Sequence, residues 1–342
     1  MKRVLVARLD NNGDVLLAGP AIRAVGDAAE VVLLCGPRGR AAADLLPSVS
    51  EVRLFEAPWI DPEPKPVRRV EMLAVVDLLS TLALDEAIVI TSFHQSPLPL
   101  ALLLRMAGVA TIAAISEDYP GGLLDVRHRI ENERLHEVER ALSLVGALGY
   151  RLPPGDDGRL RILRQTEPPF PLPVSPYVVV HPGASVPARS WAPERYAALV
   201  RELVRRHHRV VVTGGPGEAH LTAAVAGPER DQVVDLGGHT DLSEMSDVVA
   251  GAATIVTGNT GPAHLAAAVG TPVVSLFAPT VGFERWGPYG VPVVVLGDQD
   301  IACAGCRART CPVEGHPCLG VVDVVHAADA VERLMASERV SA

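Results

Sequence analysis

Aromatic residues are scarce in this 342-residue chain: five Phe, three Trp and five Tyr make up 4% of it. That argues against stacking platforms for nucleic-acid bases. An excess of positive charge is missing too. With 31 Lys and Arg against 40 Asp and Glu, the formal net charge is -9, so the phosphate neutralisation behind non-specific nucleic-acid binding has no source. No apolar run is fit to span a bilayer. The longest, Leu98 to Ile115, carries Arg105 in its middle and Gly108 near a turn, and reads as a helix followed by a strand. Met1–Leu9 is basic, but its apolar part is too short for a signal peptide and runs into Asp10. What is present, 48% hydrophobic and 21% charged residues, is the make-up of a globular chain long enough for two domains. The expectation is a cytoplasmic protein.

Strand-like and helix-like stretches alternate along the whole chain. Strands are expected at 3–9, 30–35, 51–55, 87–91 and 111–115, and helices near 15–25, 40–46, 70–82, 98–106 and 131–148. Pro20 predicts a kink in the first helix, or a helix that starts later. The second half repeats the plan, with strands at 177–181, 209–213, 233–236, 254–257, 273–277 and 292–296. Its helices fall at 193–207, 218–226, 242–252, 262–269 and 321–335. Between the halves, Thr166–Pro176 holds five prolines in eleven residues and reads as a stiff linker. The fold expected is α/β: two facing Rossmann-like domains with parallel sheets and a central cleft. The domains run 1–168 and 177–342, with linker 166–176 and a last helix free to pack back on the N-terminal domain. Pro58–Arg69 is a proline-rich loop, either plain surface or a flap over a substrate.

The most informative stretch is Thr254–Pro279, which reads strand, turn, helix, strand. Asn259 or Thr260 can cap the helix, and Pro262 suits its first position. Gly261 and its neighbours aim helix amides at open space, a geometry that holds phosphate, and His264 lies one turn in. The alternative is an ordinary turn with His264 packed in the core. Three further strand-to-helix turns carry candidates. After the first strand, Asn12 and Gly13 lead to Asp14, either a helix-end carboxylate or a general base, with Asp10 as fallback. This loop departs from G-x-G-x-x-G, so no dinucleotide fingerprint is present there. Ser185 and Arg189 follow the strand at 177–181, and Arg189 suits a diphosphate because its planar fork makes two bonds at once. Trp191 reads as a packing anchor. Glu218 can accept from ribose hydroxyls or simply start a helix. Cys303, Cys306, Cys311 and Cys318 fall within sixteen residues. They could hold a structural zinc, with His316 as an alternative ligand, or stay reduced and brace a loop. Cys35 reads as core. Asp298-Gln299-Asp300 has a D-x-D form but sits beside no glycine loop and reads as a solvated turn. No catalytic metal is expected.

These motifs together resemble glycosyltransferase family 9, the heptosyltransferases. The resemblance runs nearly end to end. It is carried by RLDNNGDVLLAGPAIRAV at 8–25, VVVHPGASVPARSWAPERYAALVREL at 178–203, VVVTGGPGE at 210–218 and GNTGPAHLAAAVGTPVVSLFAPT at 258–280. The late cysteine cluster also looks like a segment that many members carry. The resemblance implies the two-domain GT-B fold and an inverting, metal-independent transfer of a sugar, heptose from ADP-heptose, to a saccharide or glycolipid acceptor. It implies Asp14 as the catalytic base, with Asn12, Gly13 and His94 on the acceptor side. It implies Ser185, Arg189, Glu218, Asn259, Thr260, Gly261 and His264 at the donor. The family usually has Lys where this chain has Arg189, and Asp where it has Asn259. No cofactor is required, no nucleic acid is bound, and the place implied is the cytoplasm, with peripheral attachment at the inner membrane face in view. Acceptor choice falls to first-domain loops such as Pro58–Arg69 and Asp118–Arg129. Two rival readings stand beside this one: a GT-B nucleotide-sugar 2-epimerase, and a nucleotide-sugar-binding protein without catalysis, which Asn259 favours.

Overall fold

The computed structural model describes residues 1–342 apart from 61–62, 165–171, 174–175, 229–230 and 342, with side chains left undescribed from 338 onward. Most of the expected linker 166–176 therefore lies outside the described residues. The chain divides into two compact units, Met1–Leu163 and Arg164–Ala342.

In the first unit the order is β1 (Arg3–Arg8), α1 (Asn12–Gly26), β2 (Glu30–Cys35), α2 (Arg40–Ala43), β3 (Glu51–Leu54), α3 (Arg69–Thr81), β4 (Glu86–Val89), α4 (Leu98–Met106), β5 (Thr111–Ile115), β6 (Val126–His128) and α5 (Glu137–Ala147). The strands form one sheet, β3-β2-β1-β4-β5-β6, with every pairing parallel. Parallel strands are covered by helices on both faces, which is why β1, β2 and β4 read as nearly unbroken apolar runs. Leu5, Ala7, Val32, Leu34, Ala87 and Val89 join the core that holds Val76 and Leu79 of α3 and Leu100 and Leu104 of α4. Alternation sends Val4, Val6 and Arg8 to the other face, where α1 and α5 pack together. α1 runs unbroken through Pro20 and starts before the expected position, not after it. Burial of twelve of its fifteen residues outweighs the lost hydrogen bond.

The second unit repeats the order with β7 (Tyr177–His181), α6 (Pro193–Arg205), β8 (Arg209–Val212), α7 (Ala219–Ala226), β9 (Val233–Asp235), α8 (Leu242–Ala250), β10 (Thr254–Gly258), α9 (Gly261–Val269), β11 (Val273–Leu276), α10 (Phe283–Trp286), β12 (Val293–Leu296), α11 (Pro317–Gly320) and α12 (Val324–Ser341). Its sheet, β12-β11-β10-β7-β8-β9, is again parallel throughout and has the same strand plan as the first. Val178, Val180, Val256 and Val274 pack on a core built with Trp191, Tyr196 and α12. Trp191 is 2% exposed and meets the Tyr196 ring edge-to-face at 5.2 Å, so it packs as expected. α12 lies against α6 and against β10, β11 and β12.

In each sheet the strand order reverses beside the first strand: between β1 and β4, and between β7 and β10. Ligands of open parallel sheets bind outside the carboxyl ends of strands at that reversal. The loops after β1, β4, β7 and β10 flank that reversal and carry most of the sequence candidates; Glu218 follows β8, the neighbour of β7.

Candidate functional sites

In the first unit the loop after β1 is organised by Arg8, a charged residue only 1% exposed at the end of a buried strand. Its guanidinium lies 3.0 Å from Asp10 Oδ2, 3.1 Å from Asp14 Oδ1 and 3.4 Å from Glu137 Oε2. It also donates to Ser92 Oγ at 2.9 Å. Burial opposes its charge, but the carboxylates outweigh burial and hold Arg8 above its ordinary value. Arg140 meets Glu137 from the other side at 3.3 Å. The cluster thus sets three acids against two arginines. Sequence reasoning missed Arg8, Ser92, Glu137 and Arg140; the signal available was an arginine closing an otherwise apolar strand.

Asp14 is the third residue of α1. Its second oxygen, Oδ2, accepts from the Asn11 N–H at 3.2 Å, so it does serve the helix end. Its side chain keeps 16% of its surface exposed, and each oxygen has a lone pair left after these two bonds. Asp10 is more enclosed. Arg8 holds one of its oxygens and the Gln95 amide donates to the other at 2.6 Å. Burial pushes its carboxyl up, against the pull of Arg8. Glu137 is pushed up by burial as well. Asn12 accepts from the Ala42 N–H at 3.1 Å and ties α1 to α2. Gly13 is buried, and His94 is exposed on the loop after β4.

In the second unit two glycines allow backbone to approach where no Cβ would fit. A Cβ on Gly258 would stand 2.9 Å from the Arg189 carbonyl oxygen, so the turn bearing Arg189 rests directly on the end of β10. A Cβ on Gly183 would stand 2.2 Å from Glu218 Oε1, so that carboxylate lies over the loop after β7. Arg189 Nε donates to Thr280 Oγ1 at 3.3 Å, and Glu218 Oε2 accepts from the Gly215 N–H at 2.7 Å. The structure therefore brings Arg189 beside the turn at 259–264, and Glu218 beside the loop at 182–185. Ser185 is exposed on that loop. His181, which ends β7, is 6% exposed and bonded to Thr213 Oγ1 at 3.0 Å; burial lowers it to about 4, so it stays neutral.

The helix end at α9 differs from expectation. Thr260 is its cap residue but makes no side-chain cap bond, and α9 begins at Gly261, which moves Pro262 to the second position. Pro262 has no N–H, and Ala263 N–H donates to the Thr260 carbonyl at 3.0 Å. Of the first three helical positions, Gly261 alone has an N–H not spent this way. Side chains must then supply more of any anion site. Asn259 and His264 are each 5% exposed, and Asn259 Nδ2 has no hydrogen-bond partner among the described residues.

The four late cysteines and His316 line a shallow pocket together with Ala188 and Thr280. The four cysteines carry free thiols. Among the described residues no three His, Cys, Asp or Glu side chains are grouped as a metal ion would require. Cys35 is fully buried, as expected. Among the described residues no helix is long and apolar enough to cross a membrane.

The profile of glycosyltransferase family 9 (heptosyltransferase) matches residues 84–316. No curated protein matches the chain significantly. Among solved structures, the chain is similar to the glycosyl transferase family 9 protein of Veillonella parvula DSM 2008, with a TM-score of 0.77 at 18% identity over 98% of this chain and 97% of that one. For the E. coli ADP-heptose LPS heptosyltransferase II the TM-score is 0.75 at 21% identity, over 99% and 100% of the two chains. For E. coli heptosyltransferase WaaC with ADP-2-deoxy-2-fluoro heptose it is 0.68 at 20% identity, over 98% and 99%. At these identities the likeness is one of fold, and it extends over both units.

Proposed function

This chain belongs to glycosyltransferase family 9, and we propose that it moves heptose from ADP-heptose to a saccharide or glycolipid acceptor, with inversion and without a catalytic metal. That it is a glycosyltransferase using a nucleotide sugar follows from the family. The choice of donor residues is supported by the two glycine contacts of the second unit, which set the Arg189 turn against the end of β10 and Glu218 against the loop after β7. Arg189 and Gly261 N–H bind the diphosphate, with His264 beside them, and Glu218 accepts from the ribose. As the bond from the anomeric carbon to the diphosphate oxygen breaks, its electron pair leaves with the nucleotide. Arg189 and the α9 dipole stabilise that growing charge, often the largest catalytic contribution. Neutralisation by these fixed groups requires no cofactor.

The acceptor hydroxyl attacks the anomeric carbon from the face opposite the leaving group and gives its proton to Asp14. General-base assistance of this kind is worth roughly 10²–10⁴-fold. Residues 1–163 then serve the acceptor and the rest of the chain serves the donor. The setting proposed is the cytoplasm, at the inner face of the membrane when the acceptor is a glycolipid.

The test is Asp14→Asn, assayed with ADP-heptose over a panel of saccharide acceptors and by ADP calorimetry. Turnover should drop by about 10²–10⁴ with ADP affinity unchanged; equal loss of both removes Asp14 as the base. Asn259 favours a second reading, nucleotide-sugar binding without transfer. Firm donor binding with no product on any acceptor would select it.

A further inference from the structure

The transfer scheme leaves the cysteine-bearing segment, residues 301–318, without a role. Yet this segment makes four hydrogen bonds to two short stretches around the arginine turn. Ala188 N–H donates to the Arg309 carbonyl at 2.9 Å, and the Ala188 carbonyl lies 3.0 Å from His316 Nε2. Gly305 N–H donates to the Pro279 carbonyl at 2.7 Å, and Arg307 N–H to the Thr280 carbonyl at 3.0 Å. Ala188 immediately precedes Arg189, and Thr280 is the residue whose hydroxyl receives Arg189 Nε. The segment thus grips both the backbone that carries the arginine and the partner that fixes its side chain.

The hydrogen-bond chemistry fixes the direction of the His316 contact. A carbonyl only accepts, so Nε2 carries the hydrogen and donates. The backbone at His316 is in the left-handed region, with φ of 46°, directly after Gly315 at 75°. A non-glycine residue adopts that conformation only when its surroundings hold it there. Here α11 starts at the next residue, with Leu319 and Cys318 packed in the core of the second unit. The strained corner therefore has a firm base on one side and delivers an imidazole N–H to Ala188 on the other.

We propose that the segment 301–318 positions the diphosphate-binding arginine, with His316 acting on Ala188 and Arg307 N–H acting on Thr280. The thiols line the joint between this brace and the arginine turn, and none of them is a ligand of the donor. The inference rests on the reading of Arg189 as a diphosphate ligand.

The experiment is ADP calorimetry on the full chain with four substitutions. His316→Ala should weaken ADP binding by about three- to tenfold, the range expected for losing one positioning hydrogen bond. His316→Gln, which can offer an amide N–H near the same place, should restore most of that loss. Thr280→Val should weaken ADP similarly while preserving shape, and stands in for His316→Ala should the latter not fold. In an Arg189→Ala background neither change should cost more than about twofold further, because they act through the arginine. The proposal is overturned if His316→Ala and Thr280→Val bind ADP like the parent. It is also overturned if they lose the same factor with and without Arg189, which would mean general loosening. If Arg189→Ala itself binds ADP like the parent, the diphosphate reading beneath the proposal fails instead.

Discussion

Gly258→Ala probes the contact on which the donor site is built. The added methyl would stand 2.9 Å from the Arg189 carbonyl oxygen, whereas ordinary van der Waals contact begins at 3.4 Å. The arginine turn must therefore retreat by about half an ångström, or β10, hydrogen-bonded to β7 and β11 on its two sides, must yield. Gly258 is not in the left-handed region, so the effect is steric and carries no backbone strain. Forcing a methyl into such a contact costs about 1–3 kcal/mol of stability. A shift of half an ångström in a positioned charged group is enough to cost roughly tenfold in ADP affinity. The assay is calorimetry with ADP beside a thermal melt, with Gly122→Ala as control because nothing lies within 4 Å of its added methyl. A Gly258→Ala protein that loses stability yet binds ADP like the parent would refute the coupling of this contact to the donor site.

Two other predictions concern buried charge. His181 is held near 4 by burial, below its unfolded value of about 6.5. The unfolded chain takes up that proton first, so stability should fall as pH drops from about 6.5 to 4 and level off below, by up to about 3 kcal/mol in all; His181→Gln should flatten that part of a denaturant-measured pH profile. Arg8→Met should destabilise by about 3–5 kcal/mol because it strands buried carboxylates. Glu137→Gln should cost far less, since the cluster carries an acid in excess; equal costs in chemical denaturation would contradict this account of the cluster.

Much of the fold was readable because parallel strands buried on both faces leave β-branched runs. Glu30–Cys35, Thr111–Ile115 and Tyr177–His181 fall where those runs predict. β6 was invisible: Val126–His128 is three half-buried residues at a sheet edge, with no pattern to find. Pro20 misled because local propensity yields to a buried helix face. At the sites, Asp14, Arg189 and Glu218 stood out as polar residues at strand-to-helix turns. Their partners did not. Arg8 pairs with Glu137 across 129 positions and Arg189 with Thr280 across 91, separations that no local pattern encodes. The close approaches at Gly183 and Gly258 were equally hidden, since a glycine in sequence does not say what lies above it.

The central claim is that a nucleotide diphosphate sits at the end of β7 and β10, held by Arg189. Amide hydrogen exchange of the full chain with and without saturating ADP tests it most directly. The account predicts new protection concentrated in residues 183–189, 214–218 and 259–264, and its loss from 183–189 in Arg189→Ala. Protection confined to other segments, or none at saturation, would contradict it.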